Sequence, residues 1–237
     1  MFERRAQTQE ARLAAARAAL GAAQTRMGTD REGGERAPLP LAEQVVTLLP
    51  HGLRRGSAIT VVGSTSLMLA LAGEASRQGS WIAMVGMPHV GVVAAARRGV
   101  DLARLALVPH PGAQAASALA ACVDGMDVVL VGQRLALSDA DRRRITARVR
   151  ERGGVLIAAA GVGRGVTGWP GARMELTVES TRWTGLGAGD GRLRDREITV
   201  AVRENGGPAR RVTLSLDGEQ GVWRPGVRGA VLTEEVA

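Results

Sequence analysis

The sequence predicts an α/β fold in which a parallel sheet flanked by helices is followed by an antiparallel β-meander on one edge. Up to residue 160, short runs rich in Val, Ile and Leu alternate with helix-forming stretches. This rhythm is typical of a parallel sheet that is covered on both faces. From residue 172 onward, apolar residues alternate with polar ones, as in half-buried antiparallel strands. Glycine-rich turns at 185–191 and 206–207 separate these later strands.

The chain is predicted to contain one folded core with an appendage at each end. Residues 1–40 comprise an Ala-rich helix over 2–20 and a flexible linker rich in Gly and Pro. Residues 41–216 form the core, which begins with a short helix that stops at Pro50. Residues 217–237 show no hydrophobic period, which predicts a loose tail.

Within the core, five buried strands precede three amphipathic ones. The five are predicted at 58–62, 81–85, 105–108, 127–131 and 154–160. The connecting helices are predicted over 67–75, between Pro88 and Arg98, over 113–123, and from a Ser138–Asp141 capping box to residue 152. The three later strands carry their apolar residues at 174–178, 198–202 and 212–216.

The composition excludes several kinds of chemistry. None of the 31 basic Lys and Arg residues is Lys, so no lysine can bind a phosphate or form a Schiff base. Cys122 is the single cysteine, which excludes an intramolecular disulfide and a cysteine-based zinc site. The net charge of +8 suits an acidic partner such as nucleic acid.

The same features predict a soluble, cytoplasmic protein. Arg12 and Arg17 interrupt the apolar character of the N-terminal stretch, which therefore lacks the core of a signal peptide. No apolar window is long enough to span a membrane. The single cysteine also fits a reducing compartment.

The turn after the first strand has the form of a nucleotide-binding P-loop but lacks its key residues. Gly63, Ser64, Thr65 and Ser66 connect the strand to an apolar helix. A working P-loop has the pattern G-x-x-x-x-G-K-[ST] at this position, and the second Gly and the Lys are missing here. A bare helix N-terminus supplies at most about 2 kcal/mol to a bound anion, whereas even millimolar affinity requires about 4 kcal/mol. We therefore expect the hydroxyl residues to cap the helix and no nucleotide cofactor to bind.

Three segments, which follow one another along residues 41–216, resemble parts of the RecA ATPase core. Gly52-Leu53-Arg54-Arg55-Gly56 resembles the glycine-bounded entry to the P-loop, residues 98–105 resemble the turn before the third strand, and residues 125–131 resemble the Walker B strand. The resemblance implies a RecA-like P-loop fold.

The departures from that resemblance imply a pseudo-ATPase. Gly132 stands where RecA carries the Walker B Asp, and the loop 86–89 has no carboxylate where RecA carries its catalytic Glu. Phosphoryl transfer depends on these groups for positioning and charge neutralisation, so we expect neither catalysis nor a bound metal.

Within RecA-like proteins, three further segments resemble the ImuA-type accessory proteins of bacterial SOS mutagenesis, in their actinobacterial ImuA-prime form. These segments are residues 63–67, 79–81 and 182–187. The resemblance implies a non-catalytic scaffold that binds an ImuB-type Y-family-like adaptor and an error-prone DnaE-type polymerase during translesion DNA synthesis. RecA or a second copy of the chain are further partners to consider.

Two other functions stay open at this stage. One is a divergent RecA-like ATPase or DNA-binding protein with unconventional phosphate ligands, which the surviving strand-turn-helix favours. The other is a SulA-like inhibitor of cell division, since that family is also a truncated relative of RecA.

Without an active site, the function would depend on surfaces. Arg134 and Arg164 lie in the predicted loops after the fourth and fifth strands, where RecA binds DNA, and Arg192, Arg194 and Arg196 form a second basic patch. Six further arginines crowd the helix that ends at residue 152, as a solvated face or as phosphate contacts. Trp223 is a candidate anchor for a partner, and we expect Trp183 in the core.

Overall fold

A computed structural model of the chain describes residues 37–161, 168–184, 196–216 and 223–225. All of them fall in one compact unit that spans 37–237. The predicted helix over 2–20 and its linker up to residue 36 lie outside the described residues.

The described residues form helices and strands in the predicted alternation. The helices are α1 (Glu43–Val46), α2 (Thr65–Arg77), α3 (Val92–Arg97), α4 (Ala115–Gly125) and α5 (Asp139–Arg152). The first five strands are β1 (Ser57–Val62), β2 (Ile82–Val85), β3 (Leu105–Val108), β4 (Val128–Val131) and β5 (Val155–Ala160). The later strands are β6 (Met174–Trp183), β7 (Arg196–Glu204), β8 (Arg210–Leu216) and β9 (Trp223–Pro225).

The strands form one mixed sheet in the order β3-β2-β4-β5-β1-β6-β7-β8-β9. The pairs from β3 across to β6 are all parallel, and those from β6 to β9 are antiparallel. A register shift between Val178 and Ser180 interrupts the pairing of β6 with β7, as a β-bulge does. The predicted α/β architecture, a parallel sheet with helices and an antiparallel edge, is confirmed.

Burial explains why the central elements read as continuous apolar runs. Residues 58–61 of β1 and all four residues of β2 and of β4 are buried, as expected for strands covered on both faces. Helix α2 buries nine of its residues because it packs on β1 and β5 on one side and meets the end of α3 on another. Gly73 makes this second approach possible, since a Cβ there would lie 1.8 Å from the Arg98 carbonyl oxygen.

Two boundaries differ from the prediction. The first helix is only the four residues Glu43–Val46, because the N–H groups of Leu48 and Leu49 bond three residues back instead of four and Pro50 has no N–H. Arg210 donates to the carbonyl oxygens of Thr47 and Leu48 that follow the helix. In the C-terminal segment 217–237, predicted as a loose tail, residues 223–225 pair with β8 as the short strand β9. The remainder of that segment lies outside the described residues.

Candidate functional site

The turn between β1 and α2 is too short to surround a phosphate. Only Gly63 and Ser64 separate the last residue of β1 from the first residue of α2. Gly63 takes a φ of +82°, which glycine adopts without strain. Ser64 is the N-cap residue: its Oγ accepts a hydrogen bond from the Leu67 backbone N–H at 3.2 Å. The predicted role of Ser64 as a helix cap is confirmed, while Thr65 and Ser66 lie in the first turn of the helix.

The loops at the carboxyl ends of β2 and β4 pack directly on one another. Gly132, which follows β4, donates its N–H to the Val85 carbonyl oxygen at 2.8 Å. A Cβ at position 132 would lie 2.0 Å from the Gly86 carbonyl oxygen, well inside van der Waals contact. No side chain, and therefore no metal-binding carboxylate, fits at this position without moving the β2 loop.

Two further contacts fill the same edge of the sheet. A Cβ on Gly86 would lie 2.5 Å from a methyl carbon of Leu135, and one on Gly161 would lie 2.9 Å from the Gln133 amide nitrogen. The loop after β4 thus covers the loop after β2 and contacts the start of the loop after β5. Backbone packing and one leucine fill the edge of the sheet at which the resemblance to RecA would place catalytic groups.

The carboxylate of Asp127 lies at the amino end of β4, opposite to the end that Gly132 follows. Asp127 precedes β4, accepts a hydrogen bond from the Trp81 N–H at 3.0 Å, and pairs with Arg55 at 3.4 Å. Strands rise about 3.3 Å per residue, so this carboxylate is separated from the loop edge by the length of β4. Its contacts join β1, β2 and β4 at their amino ends.

The predicted DNA-contact arginines do not form one surface in the described structure. Arg134 is exposed in the loop after β4, whereas Arg196 is the first residue of β7. Three strands lie between β4 and β7, which corresponds to a separation of about 19 Å at about 4.8 Å per strand. Arg164, Arg192 and Arg194 lie outside the described residues.

Arg196 stacks on an aromatic ring. Its guanidinium carbon lies 5.4 Å from the centroid of Trp183, and burial lowers the pKa of Arg196. The expectation that Trp183 lies in the core is wrong, because 47% of this residue is exposed. Trp183 is the last residue of β6 and lies beyond the bulge, in a part of the strand whose residues are exposed. Trp223, the other predicted anchor, is the first residue of β9, and its side chain lies outside the described structure.

Most of the arginines on α5 have partners within the protein. Arg148 forms a bidentate pair with Asp124, with both nitrogen–oxygen distances at 2.6 Å, and Arg152 donates to the same carboxylate at 3.1 Å. Arg144 pairs with Asp141 at 3.7 Å, and Arg142 lies over the Trp169 ring at 5.6 Å. The interpretation of α5 as a solvated structural helix is thereby favoured over a continuous phosphate-binding face.

Sequence reasoning missed a cavity of about 640 Å³ at the opposite edge of the sheet. It lies where β1 and β6 begin, and arginines before those strands contribute to its wall. The available signal was positional: residues directly before parallel strands all meet at the amino edge of a sheet.

Metal and membrane sites are absent from the described part of the chain. Within residues 37–161, 168–184, 196–216 and 223–225, no three His, Cys, Asp or Glu side chains come together in a way that could hold a metal ion. No helix in these ranges has the length and apolar character needed to cross a membrane.

Comparison with known proteins identifies a family over half of the chain. The family model described as the MT3502 N-terminal domain matches residues 47–171, from the end of α1 to the segment before β6. An uncharacterised protein of Mycobacterium tuberculosis, Rv3395c, is 34% identical over 119 residues, which make up 50% of this chain and 58% of the relative. The match thus spans little more than half of the relative's length.

Proposed function

The chain belongs to the MT3502 N-terminal domain family, and from this premise we propose that it is a non-catalytic, RecA-like scaffold of the SOS DNA-damage response. In this role it supports error-prone translesion synthesis by binding an ImuB-type Y-family-like adaptor, a DnaE-type polymerase, or both. The observation that carries the proposal is the closed carboxyl edge of the sheet, where loop packing stands in place of a nucleotide site.

Close packing at the carboxyl edge weighs more heavily against a nucleotide site than missing motif residues do. A motif can be lost while the space for a ligand survives, and other side chains could then bind the phosphate. Here Gly132 contacts the Gly86 carbonyl and Leu135 covers Gly86, so the space itself is filled. A chain that retains the sheet and fills this space is better suited to binding proteins than to phosphoryl transfer.

The identity of the partners rests on the ImuA-type resemblance of residues 63–67, 79–81 and 182–187. Two of these segments have structural roles: the first is the capped turn into α2, and the second leads into β2. The third includes Trp183, whose exposure is consistent with contact to another protein.

The proposal is tested by co-expressing the tagged full-length chain with the Y-family-like adaptor and the DnaE-type polymerase encoded in the same genome. We expect at least one of them to co-elute stoichiometrically in size-exclusion chromatography, with and without Mg²⁺ and ATP. No complex with either protein, while the chain alone is folded by circular dichroism, would overturn the proposal.

Two parallel measurements address the alternatives. Micromolar affinity for ATP with Mg²⁺ in calorimetric titration would support the divergent ATPase. Filamentous cells on overexpression of the chain would support a SulA-like inhibitor. We expect neither result.

A further inference from the structure

The cavity of about 640 Å³ lies at the amino edge of the sheet, away from the closed loop edge. Ser57 and Met174 line it and are the first residues of β1 and β6. The end of β7 and the turn into β8 form its other side through Glu204 and Pro208. Its size is within the range of about 300–1,000 Å³ for ligand sites.

The floor of the cavity is apolar. Leu49, Ile59 and Val202 line it and are all buried, and Met174 is half-buried. These side chains belong to the segment after α1 and to strands β1, β6 and β7, so the floor is supported by the rigid sheet.

The rim of the cavity is basic. Of the residues that the structure describes, Arg54, Arg173 and Arg210 line it together with one carboxylate, Glu204. Three positive charges against one negative charge give these residues a net charge of +2. Arg210 is held in place by its bonds to the carbonyl oxygens after α1. The exposed side chains of Arg54 and Arg173 form no hydrogen bond or ion pair with the described residues and remain available for an anion.

Among the described residues, the lining of the cavity offers few buried polar groups that could orient a small metabolite. Ser57 is the buried polar residue in its lining, and its hydroxyl already donates to the Arg54 carbonyl oxygen at 2.5 Å. Small-molecule sites have several convergent polar groups on an apolar wall, whereas an apolar pocket inside a charged rim is the arrangement of a protein interface. A bulky apolar side chain of a partner would fill the floor, and carboxylates beside it would meet the two free arginines.

We infer that this cavity binds an acidic segment of a partner protein, through an apolar anchor residue flanked by Asp or Glu. The inference rests on the proposed scaffold function and assigns one partner surface to the amino edge of the sheet. The charge complementarity of Arg54 and Arg173 selects acidic segments over neutral or basic ones.

The test uses a phage-displayed library of random decapeptides selected on the full-length chain. We expect the enriched peptides to combine Trp, Phe or Leu with neighbouring Asp or Glu. In fluorescence anisotropy with the labelled peptides, the double variant Arg54→Glu/Arg173→Glu should bind about tenfold more weakly or worse. In amide NMR spectra, the peptides should shift the resonances of residues 49–57 and 202–210.

The matched control is Arg97→Glu/Arg143→Glu, which reverses two exposed arginines elsewhere and changes the net charge equally. It should bind the peptides like the parent chain, and thermal unfolding confirms that both double variants are folded. The inference is overturned if no peptides are enriched, if they are neutral or basic, if both variants lose affinity equally, or if the amide shifts fall outside the cavity.

Binding of decanoate to the cavity without any enriched peptide would reassign it to a small carboxylic acid. Because this assay needs no adaptor or polymerase, its failure is distinguishable from failure of the co-elution experiment.

Discussion

Gly132 lies at the carboxyl end of β4, at the position that the RecA resemblance assigns to a metal-binding aspartate. Its backbone N–H bonds to Val85, and its α-carbon faces the Gly86 carbonyl at a distance that leaves no room for a Cβ. At this position glycine is required by close backbone approach, and its φ is not in the left-handed region. The residue therefore allows the two loops to pack together, and no carboxylate fits at its position while they do.

Replacing Gly132 by Ala should destabilise the protein by about 3 kcal/mol, because the added methyl group overlaps the Gly86 carbonyl and forces the two loops apart. The free energy of unfolding in urea measures this loss. The control is Gly91→Ala, where a Cβ meets no atom within 4 Å and where the change at the N-cap of α3 should cost less than about 1 kcal/mol. If Gly132→Ala and Gly91→Ala lowered the free energy of unfolding equally, the close approach of the two loops would not be what requires glycine at position 132.

Two tryptophans differ sharply in their surroundings. Trp169 is 6% exposed, its indole N–H donates to the Thr146 hydroxyl at 2.8 Å, and its backbone N–H donates to the Thr60 hydroxyl at 2.9 Å. It thereby connects α5 to the centre of β1. Trp183, by contrast, is half exposed and contacts Arg196 through its ring.

Trp169→Phe should lower the free energy of unfolding by about 1–3 kcal/mol, because the substitution removes the donor to a buried threonine hydroxyl. Trp183→Phe should change it by less than about 0.5 kcal/mol, since the ring is half exposed and a phenyl group keeps a weaker contact with Arg196. Urea denaturation of both variants makes the comparison. If Trp183→Phe lowered the free energy of unfolding more than Trp169→Phe, the end of β6 at Trp183 would contribute more to stability than the contacts of Trp169.

At the scale of the element, α5 combines a defined start with internally paired charges. Ser138 and Asp141 form a capping box, in which the Ser138 hydroxyl and backbone N–H lie 2.6 and 3.2 Å from the Asp141 carboxylate. Gly153 ends the helix in the left-handed conformation, with a φ of +68°. Both ends were readable in the sequence because caps are local, whereas the pairing of Arg148 with Asp124 of α4 required the fold.

The capping box makes α5 sensitive to acid. Its hydrogen bonds with Ser138 lower the pKa of Asp141 below its ordinary value of 3.8, so the ionised carboxylate favours the folded state. That contribution is present above pH 3.8 and is lost as the pH falls through the lowered pKa.

We therefore expect the stability difference between the parent chain and Asp141→Asn to be constant near neutral pH and to shrink below about pH 4. Urea denaturation of both proteins at pH 6 and pH 2.5 measures this difference. Asp139→Asn, which removes a carboxylate that does not bond to Ser138, should show a smaller change between the two pH values. If the stability difference between the parent chain and Asp141→Asn grew at acidic pH, the ionised carboxylate would not favour the folded state as we expect.

At the scale of the whole molecule, the charge of +8 is spread over separate places. Arg148 and Arg152 share the single carboxylate of Asp124. Arg134 is exposed on the loop edge, and Arg54 and Arg173 are exposed on the amino edge. A positive net charge still attracts nucleic acid, but contacts that arise in this way depend strongly on salt and carry no sequence preference.

Binding to a labelled DNA duplex should accordingly be weak and should fall steeply with salt concentration. Arg134→Gln should reduce the slope of log K against log salt by about 0.9, the value for one lost phosphate contact. Arg148→Gln should change the slope less, because this arginine is already paired with Asp124. Fluorescence anisotropy at several salt concentrations measures the slopes, and an unchanged slope for Arg134→Gln would exclude it from the DNA contact.

Much of the fold and part of the site could be predicted from local patterns. The order and type of the core elements, the cap at Ser64 and the missing Walker residues all follow from near neighbours in the chain. The strand at 223–225 could not be predicted, because it depends on pairing with β8. The bond from Arg210 to the Thr47 carbonyl after α1 likewise depends on a distant partner. The exposure of Trp183 depends in turn on which part of β6 the rest of the fold covers.

The sequence by itself determined that the chain forms a parallel sheet with an antiparallel edge, and that the segments resembling RecA lack the Lys, Asp and Glu of its ATPase motifs. These are properties of hydrophobic period, caps and residue identity, which act over a few residues. Only the tertiary structure decided that the carboxyl edge of the sheet is filled by its own loops and that a basic-rimmed cavity opens at the opposite edge. Those outcomes depend on how segments far apart in the chain are placed, which no local pattern specifies. Examples are the contact of Gly86 with Gly132 and the position of Arg54 and Arg173 at one cavity.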